Sequence, residues 1–263
     1  MDLGLKGKVA LVAGSSTGLG RAVAGALAAE GTSLVICARG EERLAGARDE
    51  IVEEHGVPVE AVTADLTLPA DVNRLVEGAV ERFGRVDVLF TNTGGPPAGP
   101  FQEQGPEAWD LAVRQNLHSV VNLVRGVLPG MRERGWGRIV NCTSVAVKQP
   151  IDGLMLSNSI RAAVTGFART LANEVAADGV TVNNVLPGFT RTERLVHLAE
   201  HNARDRGTSV EEAYAAWEGE IPAGRLGEPR EIGALVAFLA SEQAAYITAQ
   251  SICVDGGWVK GLL

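Results

Sequence analysis

Short apolar runs alternate with longer amphipathic stretches along the chain. The short runs are rich in Val and Ile and lack polar alternation, which predicts strands buried on both faces of a sheet. The predicted strands are residues 9–13, 33–38, 57–63, 86–91, 138–143, 180–186 and 251–254. Helical periods fill the gaps, for example at residues 21–30, 41–54, 71–83 and 162–177. This alternation predicts an α/β fold: a Rossmann-like, doubly wound, seven-stranded parallel sheet with right-handed crossovers.

One stretch interrupts this rhythm between the sixth and seventh predicted strands. Residues 190–227 are polar and helical in pattern. Ligands of doubly wound folds bind outside the carboxyl ends of the strands, which is where such an excursion would lie. We therefore predict that residues 190–227 form a helical substrate lid within a single domain spanning residues 1–263.

Composition and charge narrow the class of protein. The chain has 263 residues, of which 46% are hydrophobic, enough for one large core. Its net charge of −8 gives no long-range attraction for phosphate backbones, so we expect no nucleic-acid partner. No apolar run is long enough to predict a membrane span, and the N-terminus shows no signal-peptide pattern. Cys37, Cys142 and Cys253 lie in strand-like runs, typical of buried thiols in a reducing compartment, which favours a cytoplasmic location.

A glycine-rich turn follows the first predicted strand and opens a helix. Its glycines let the backbone approach a pyrophosphate closely, while the helix N-terminus offers amide donors and the positive end of a dipole. The candidate contacts are Gly14, Ser16, Thr17, Gly18, Leu19 and Gly20. The position of this turn between a strand and a helix predicts a phosphate-binding site.

The spacing of this turn, Gly-x3-Gly-x-Gly, resembles that of the short-chain dehydrogenase/reductase family, although Ala13 stands where the family usually has threonine. Further motifs extend the resemblance over nearly the whole chain. They are Asp65 with Leu66, Asn92 with Gly94, Asn116, Ser144, Pro187 with Gly188, Thr190 and Thr192, and Asp255 with two following glycines.

The resemblance implies hydride transfer between a nicotinamide and a carbonyl carbon. The expected substrate is a small-molecule carbonyl compound or acyl thioester, as for oxoacyl-carrier or carbonyl reductases. The resemblance also implies that Asp65 contacts the adenine and that the segment from Pro187 to Thr192 packs around the nicotinamide. A homotetramer or homodimer is expected, with interfaces at residues 106–134, at residues 154–177 and near Asp255.

The end of the second predicted strand bears on the choice of cofactor. An NAD site places a carboxylate there to accept hydrogen bonds from the ribose hydroxyls, but this chain has Ala38 followed by Arg39. A guanidinium can pair with a 2′-phosphate through two parallel hydrogen bonds. The sequence therefore favours NADP(H) over NAD, the alternative being that Arg39 is a solvated loop charge.

The catalytic positions implied by the resemblance are Asn116, Ser144, Ser157 and Arg161, but two of them are altered. The family has tyrosine where Ser157 stands and lysine where Arg161 stands. A tyrosine hydroxyl titrates near 10, and a serine hydroxyl is a far weaker acid. Arginine stays protonated, so Arg161 cannot pass a proton, although it can donate to ribose hydroxyls and stabilise a developing oxyanion.

Two functions remain open from the sequence. The first is an NADP(H)-dependent oxidoreductase whose proton comes from a water held by Asn116, Ser144 and Ser157, or from an acidic group on the substrate. The second is a catalytically silent cofactor-binding protein that acts as a sensor or partner subunit.

Other polar residues could suggest additional chemistry. Glu193, His197 and His201 are spaced to share one helix face, which is more typical of a solvated face than of a metal site, and we expect no metal. Lys148 and Asp152 are interpreted as loop charges rather than proton donors.

Overall fold

The computed structural model describes residues 1–262, apart from the side chains of residues 202, 205 and 206. Its sheet has seven parallel strands, as the sequence predicts, and their order is β3-β2-β1-β4-β5-β6-β7. The strands are β1 Val9–Ala13, β2 Ser33–Ala38, β3 Val59–Thr63, β4 Val88–Thr91, β5 Gly137–Cys142, β6 Val180–Pro187 and β7 Ser251–Val254.

Helices cover both faces of the sheet, and the two largest apolar clusters of the described residues lie one on each face. They are α1 Gly18–Ala29, α2 Glu41–His55, α3 Pro69–Phe83, α4 Pro106–Val113, α5 Ser119–Glu133, α6 Met155–Val175, α7 Glu193–Arg206, α8 Val210–Glu220 and α9 Pro229–Ala240. None of the helices in the described part of the chain is long and apolar enough to cross a membrane.

Element boundaries differ from the predicted ones where local chemistry decides. The strand predicted at residues 57–63 begins at Val59, directly after Pro58, because proline has no N–H for the ladder. The helix predicted from residue 21 begins at Gly18, so the last two glycines of the turn belong to its first turn. Strands β3 and β7 are only partly buried, contrary to the prediction of burial on both faces, because each lies at a sheet edge.

The segment 190–227 forms a helical hairpin of α7 and α8 with a narrow base. Thr190 and Gly227 pair in an isolated parallel bridge, and the Gly227 N–H donates to the Phe189 carbonyl at 2.9 Å. Phe189 also stacks on Trp217 at 5.0 Å and meets the edge of Trp258 at 5.5 Å. The hairpin therefore has its own aromatic core and is attached to the sheet beside the end of β6.

Candidate active site

A cleft of 990 Å³ lies at the carboxyl ends of the strands, where the chain order reverses between β1 and β4. The structure brings most of the predicted cofactor contacts to its walls. They are Gly14, Ser16, Thr17, Gly18, Leu19, Arg39, Asp65, Leu66, Asn92, Gly94 and Thr192.

The glycine turn is shaped by positive φ angles and close approach. Gly14 and Gly18 have φ of +63° and +57°, a region that costs glycine little. A Cβ at Gly20 would overlap the Gly14 carbonyl, so the turn requires glycine there. Thr17 precedes α1 without a side-chain capping bond, which leaves first-turn amides of α1 for a ligand. This arrangement fits the diphosphate of a dinucleotide.

The end of β2, beside the glycine turn, carries the charge predicted to select the cofactor. Arg39 is exposed, lines the cleft and has no hydrogen bond or ion pair within the described residues. Its neighbour Arg43 pairs with Glu193 of α7 at 3.2 Å. Asp65 accepts hydrogen bonds from Thr67, whose N–H and Oγ1 lie 2.9 and 2.8 Å from its Oδ1. These contacts hold Asp65 at the wall of the cleft.

Asn116 lies in a turn of π-helix, Arg114–His118, that joins α4 to α5. Its Nδ2 donates to Thr93 Oγ1 at 3.1 Å and to the Gly94 carbonyl at 2.9 Å. Its Oδ1 is buried and has no partner in the described structure. A buried acceptor without a partner is costly, so the site is built for an additional donor at this atom.

The altered pair lies together on α6. Arg161 donates from Nε to Ser157 Oγ at 3.3 Å, and from Nη1 to the carbonyls of Cys142 and Thr143 at 3.0 and 3.1 Å. Burial lowers the pKa of Arg161, but a guanidinium remains charged at any working pH. Ser144 Oγ accepts from the Ala146 N–H at 3.1 Å and begins a short 3₁₀ turn.

These four predicted catalytic residues are therefore placed near the end of β5 and the loop after β4, and none of them is part of the cleft wall described above. Gly188 donates to the Val254 carbonyl at 3.0 Å, and Thr190 Oγ1 donates to the Gly188 carbonyl at 3.2 Å. Pro187, Gly188 and Thr190 thus connect β6 to β7 and to the base of the hairpin. Of that segment, only Thr192 reaches the cleft, where it also caps α7.

Arg194 is a cleft residue that the sequence did not reveal. From the first turn of α7, its Nη1 and Nη2 donate to the carbonyls of Gly95 and Pro96 at 3.2 and 3.3 Å. A Cβ at Gly95 would overlap this guanidinium. Burial, and then the positive charge of Arg161, lower the pKa of Arg194. In the sequence, the only feature that points to this contact is Gly95, the second glycine after Asn92, where a side chain would leave no room for the guanidinium.

Several other residues with polar or ionisable groups can be placed from the structure. In the described part of the chain, no three His, Cys, Asp or Glu side chains gather as a metal site requires. Tyr214 packs edge-on against Trp217 at 5.8 Å, inside the aromatic core of the hairpin. Burial raises the pKa of the Cys142 thiol to about 11 and that of Cys37 to about 12, so both are neutral.

Comparison with known proteins identifies the family. The family model described as enoyl-(acyl carrier protein) reductase matches residues 13–259. The chain belongs to the short-chain dehydrogenase/reductase family. Among the relatives of this short-chain dehydrogenase/reductase is the 3-oxoacyl-[acyl-carrier-protein] reductase of Vibrio cholerae, which is 36% identical over 97% of this chain and 98% of its own.

Two solved structures share the whole fold of this family member. The L-sorbose reductase of Gluconobacter frateurii, complexed with NADPH and L-sorbose, superposes with a TM-score of 0.95 at 35% identity, covering all of both chains. The F189W actinorhodin polyketide ketoreductase with NADPH superposes with a TM-score of 0.93 at 38% identity, covering 97% of this chain and 98% of its own.

Proposed function

We propose that the chain is an NADP(H)-dependent oxidoreductase that interconverts a carbonyl group and an alcohol, in the manner of 3-oxoacyl and ketone reductases. The observation that carries this proposal is the cleft in which open amides of α1 lie beside the end of β2, where Arg39 follows Ala38 and has no ion pair within the described residues. Two solved relatives hold NADPH, and another relative is named an oxoacyl reductase. Together these features support the cofactor and the reaction class.

Different residues of the cleft would bind different parts of the cofactor. The turn from Gly14 to Gly20 and the amides of α1 would bind the diphosphate, and Arg39 would pair with the 2′-phosphate. Asn92 and Gly94 would support the middle of the cofactor. When bound, the nicotinamide supplies or accepts the hydride of the reaction.

The proton of the reaction needs a route without tyrosine. The hydroxyls of Ser144 and Ser157 would hold the carbonyl oxygen, and the charge of Arg161 beside Ser157 Oγ would stabilise negative charge developing on it. The partnerless Oδ1 of Asn116 supports a bound water as the immediate proton source. An acidic group on the substrate is the other source open to this site.

The second candidate, a silent cofactor-binding protein, is favoured by one observation. Arg161 donates to the carbonyls of Cys142 and Thr143, and the Ser144 hydroxyl accepts from a backbone N–H. Both catalytic positions are thus engaged with the backbone. Such a protein would keep the cofactor cleft and use it as a sensor or partner subunit.

Consumption of NADPH against ketones and oxoacyl thioesters tests the two candidates directly. The wild type would run beside the Ser157→Tyr/Arg161→Lys double variant. We expect wild-type turnover above background, which would establish a reductase with a proton route that does not use tyrosine. Turnover only in the restored variant would contradict the oxidoreductase proposal and support the silent binding protein.

Assembly and location form part of the same proposal. We propose a homotetramer or homodimer that uses α4, α5, α6 and the strand near Asp255, in a cytoplasmic protein with one domain over residues 1–263. Light scattering coupled to size exclusion would measure the mass, and a monomer would contradict the proposed assembly.

A further inference from the structure

Two guanidinium groups lie near predicted catalytic residues. Arg161 of α6 stands 3.3 Å from Ser157 Oγ, and Arg194 of α7 bonds to the carbonyl of Gly95, next to the Gly94 carbonyl that holds Asn116. The charge of Arg161 also lowers the pKa of Arg194. No ion pair within the described residues includes either of them. By contrast, Arg191, on the segment leading into α7, pairs with both Glu218 and Glu228. Within the described residues, neither of the two site arginines is therefore paired with a carboxylate.

Arg194 lies on the wall of the loop after β4 rather than over the phosphate turn. Thr192 is the lid residue that faces that turn, since a Cβ at Gly18 would lie 3.5 Å from Thr192 Cγ2. Two positions further on, Arg194 points instead to the carbonyls of Gly95 and Pro96. Its charge therefore stands beside the loop after β4, whose Gly94 carbonyl holds Asn116.

The bonding of Arg194 leaves room for a ligand. Its two hydrogen bonds to carbonyls use only part of a guanidinium with five N–H donors. Carbonyl partners leave its positive charge uncompensated, and Arg161 adds repulsion. Arg194 is exposed and lines the cleft, so its remaining donors are open to an anionic ligand.

We propose that Arg194, assisted by the charge of Arg161, binds a carboxylate or similar anionic group of the substrate. This inference rests on the proposed oxidoreductase function and names its substrate class: oxo acids and the corresponding hydroxy acids. A carboxylate matches the two-pronged geometry of a guanidinium. Binding there would place a short oxo acid beside the loop that holds Asn116.

Matched pairs of oxo acids and their methyl esters test the inference. The 2-, 3- and 4-oxo acids and their esters would be titrated calorimetrically into the protein–NADP⁺ complex, and kcat/KM would be measured with NADPH. We expect at least one acid to bind about 10- to 100-fold more tightly than its ester. Arg194→Gln should remove that preference for the acid over its ester, while Arg194→Lys should retain part of it.

The control variant is Arg48→Gln, which makes the same charge change on α2, outside the cleft. Acid preference retained in Arg194→Gln, or acids and esters bound equally by the wild type, would overturn the inference. An equal loss of NADPH affinity in Arg194→Gln, measured by fluorescence titration, would assign the arginine to the cofactor diphosphate and overturn it too. Tight acid binding without turnover would leave the anion site standing and count against the oxidoreductase function alone.

Discussion

Arg161 and Ser157 lie one helical turn apart on α6, and the arginine Nε stands 3.3 Å from the serine Oγ. The same guanidinium reaches the carbonyls of Cys142 and Thr143 at the end of β5. Arg161 therefore links α6 to the sheet as well as placing charge at the site. An arginine can do both because its donors are spread over a plane, whereas a lysine has one compact ammonium.

The first prediction concerns this link. Arg161→Met, similar in length but uncharged, should lower the free energy of unfolding by about 1–3 kcal/mol, because two carbonyls lose their donor. Arg161→Lys should lose less, and Ser157→Ala should change stability little. Urea denaturation of the three variants measures the effect. If Arg161→Met is as stable as the wild type, water must donate hydrogen bonds to both carbonyls as effectively as Arg161 does.

The cofactor preference rests on Arg39. Arg39→Ala should raise the Kd for NADPH by about 10- to 100-fold, because a charge-assisted pair with the 2′-phosphate is lost. The Kd for NADH should stay nearly constant. Ala38→Asp is the complementary variant and should favour NADH, since a carboxylate accepts bonds from ribose hydroxyls and repels phosphate. Fluorescence titration measures both constants, and NADPH affinity unchanged in Arg39→Ala would contradict this role.

The strands and the phosphate turn could be predicted because their signals are local. A short stretch of sequence is enough to recognise a five-residue apolar run or a set of glycines at fixed spacing. Even the errors were local, as at Pro58, which delays the start of β3. The family resemblance then supplied the positions of the catalytic residues, which no periodicity reveals.

The direction of side chains in the site could not be predicted, since it depends on distant parts of the chain. Arg194 bonds to a carbonyl 99 residues away, and only the placement of α7 over the loop after β4 brings them together. The engagement of Arg161 with β5 is likewise invisible in its spacing from Ser157. Trp217 and Trp258 look unrelated in sequence, yet both pack on Phe189.

The glycine turn should not tolerate a side chain in place of Gly20. Gly20→Ala would drive a Cβ into the Gly14 carbonyl, so the turn must move and both stability and NADPH affinity should fall. We expect a loss of about 1–3 kcal/mol in the free energy of unfolding, typical of overpacking. Gly46→Ala on α2 is the matched control: nothing lies within 4 Å of the added methyl, and it should be neutral or stabilising. Cofactor binding retained by Gly20→Ala would show that the turn can relax.

Glu231 gives stability a defined pH dependence near the base of the hairpin. Arg225 donates to both carboxylate oxygens at 2.6 and 2.9 Å, and the Glu228 N–H donates at 2.7 Å. These bonds lower its pKa from 4.5 to about 2. A lowered pKa stabilises the fold above pH 4.5, and the contribution is lost as pH falls from there toward 2.

The difference in unfolding free energy between the wild type and Glu231→Gln should therefore be constant above pH 5 and shrink on acidification. Urea titrations at successive pH values, down to the lowest at which both proteins fold, measure it. A gap that does not change with pH would mean that the carboxylate is not held in its charged form by Arg225.

The hairpin of α7 and α8 should act as a lid whose order depends on the cofactor. One side of α7 lines the cleft, through Glu193, Arg194, His197 and neighbouring residues. Its link to α2 is the exposed Arg43–Glu193 ion pair, which contributes little stability.

We expect amides of α7 to exchange several-fold more slowly with NADPH than without it, while those of α3, outside the cleft, exchange equally in both states. Glu193→Gln should raise the exchange of α7 without cofactor only slightly. Equal protection of α7 in both states would contradict a lid role, because a segment that closes over a ligand must be held more firmly when the ligand is present.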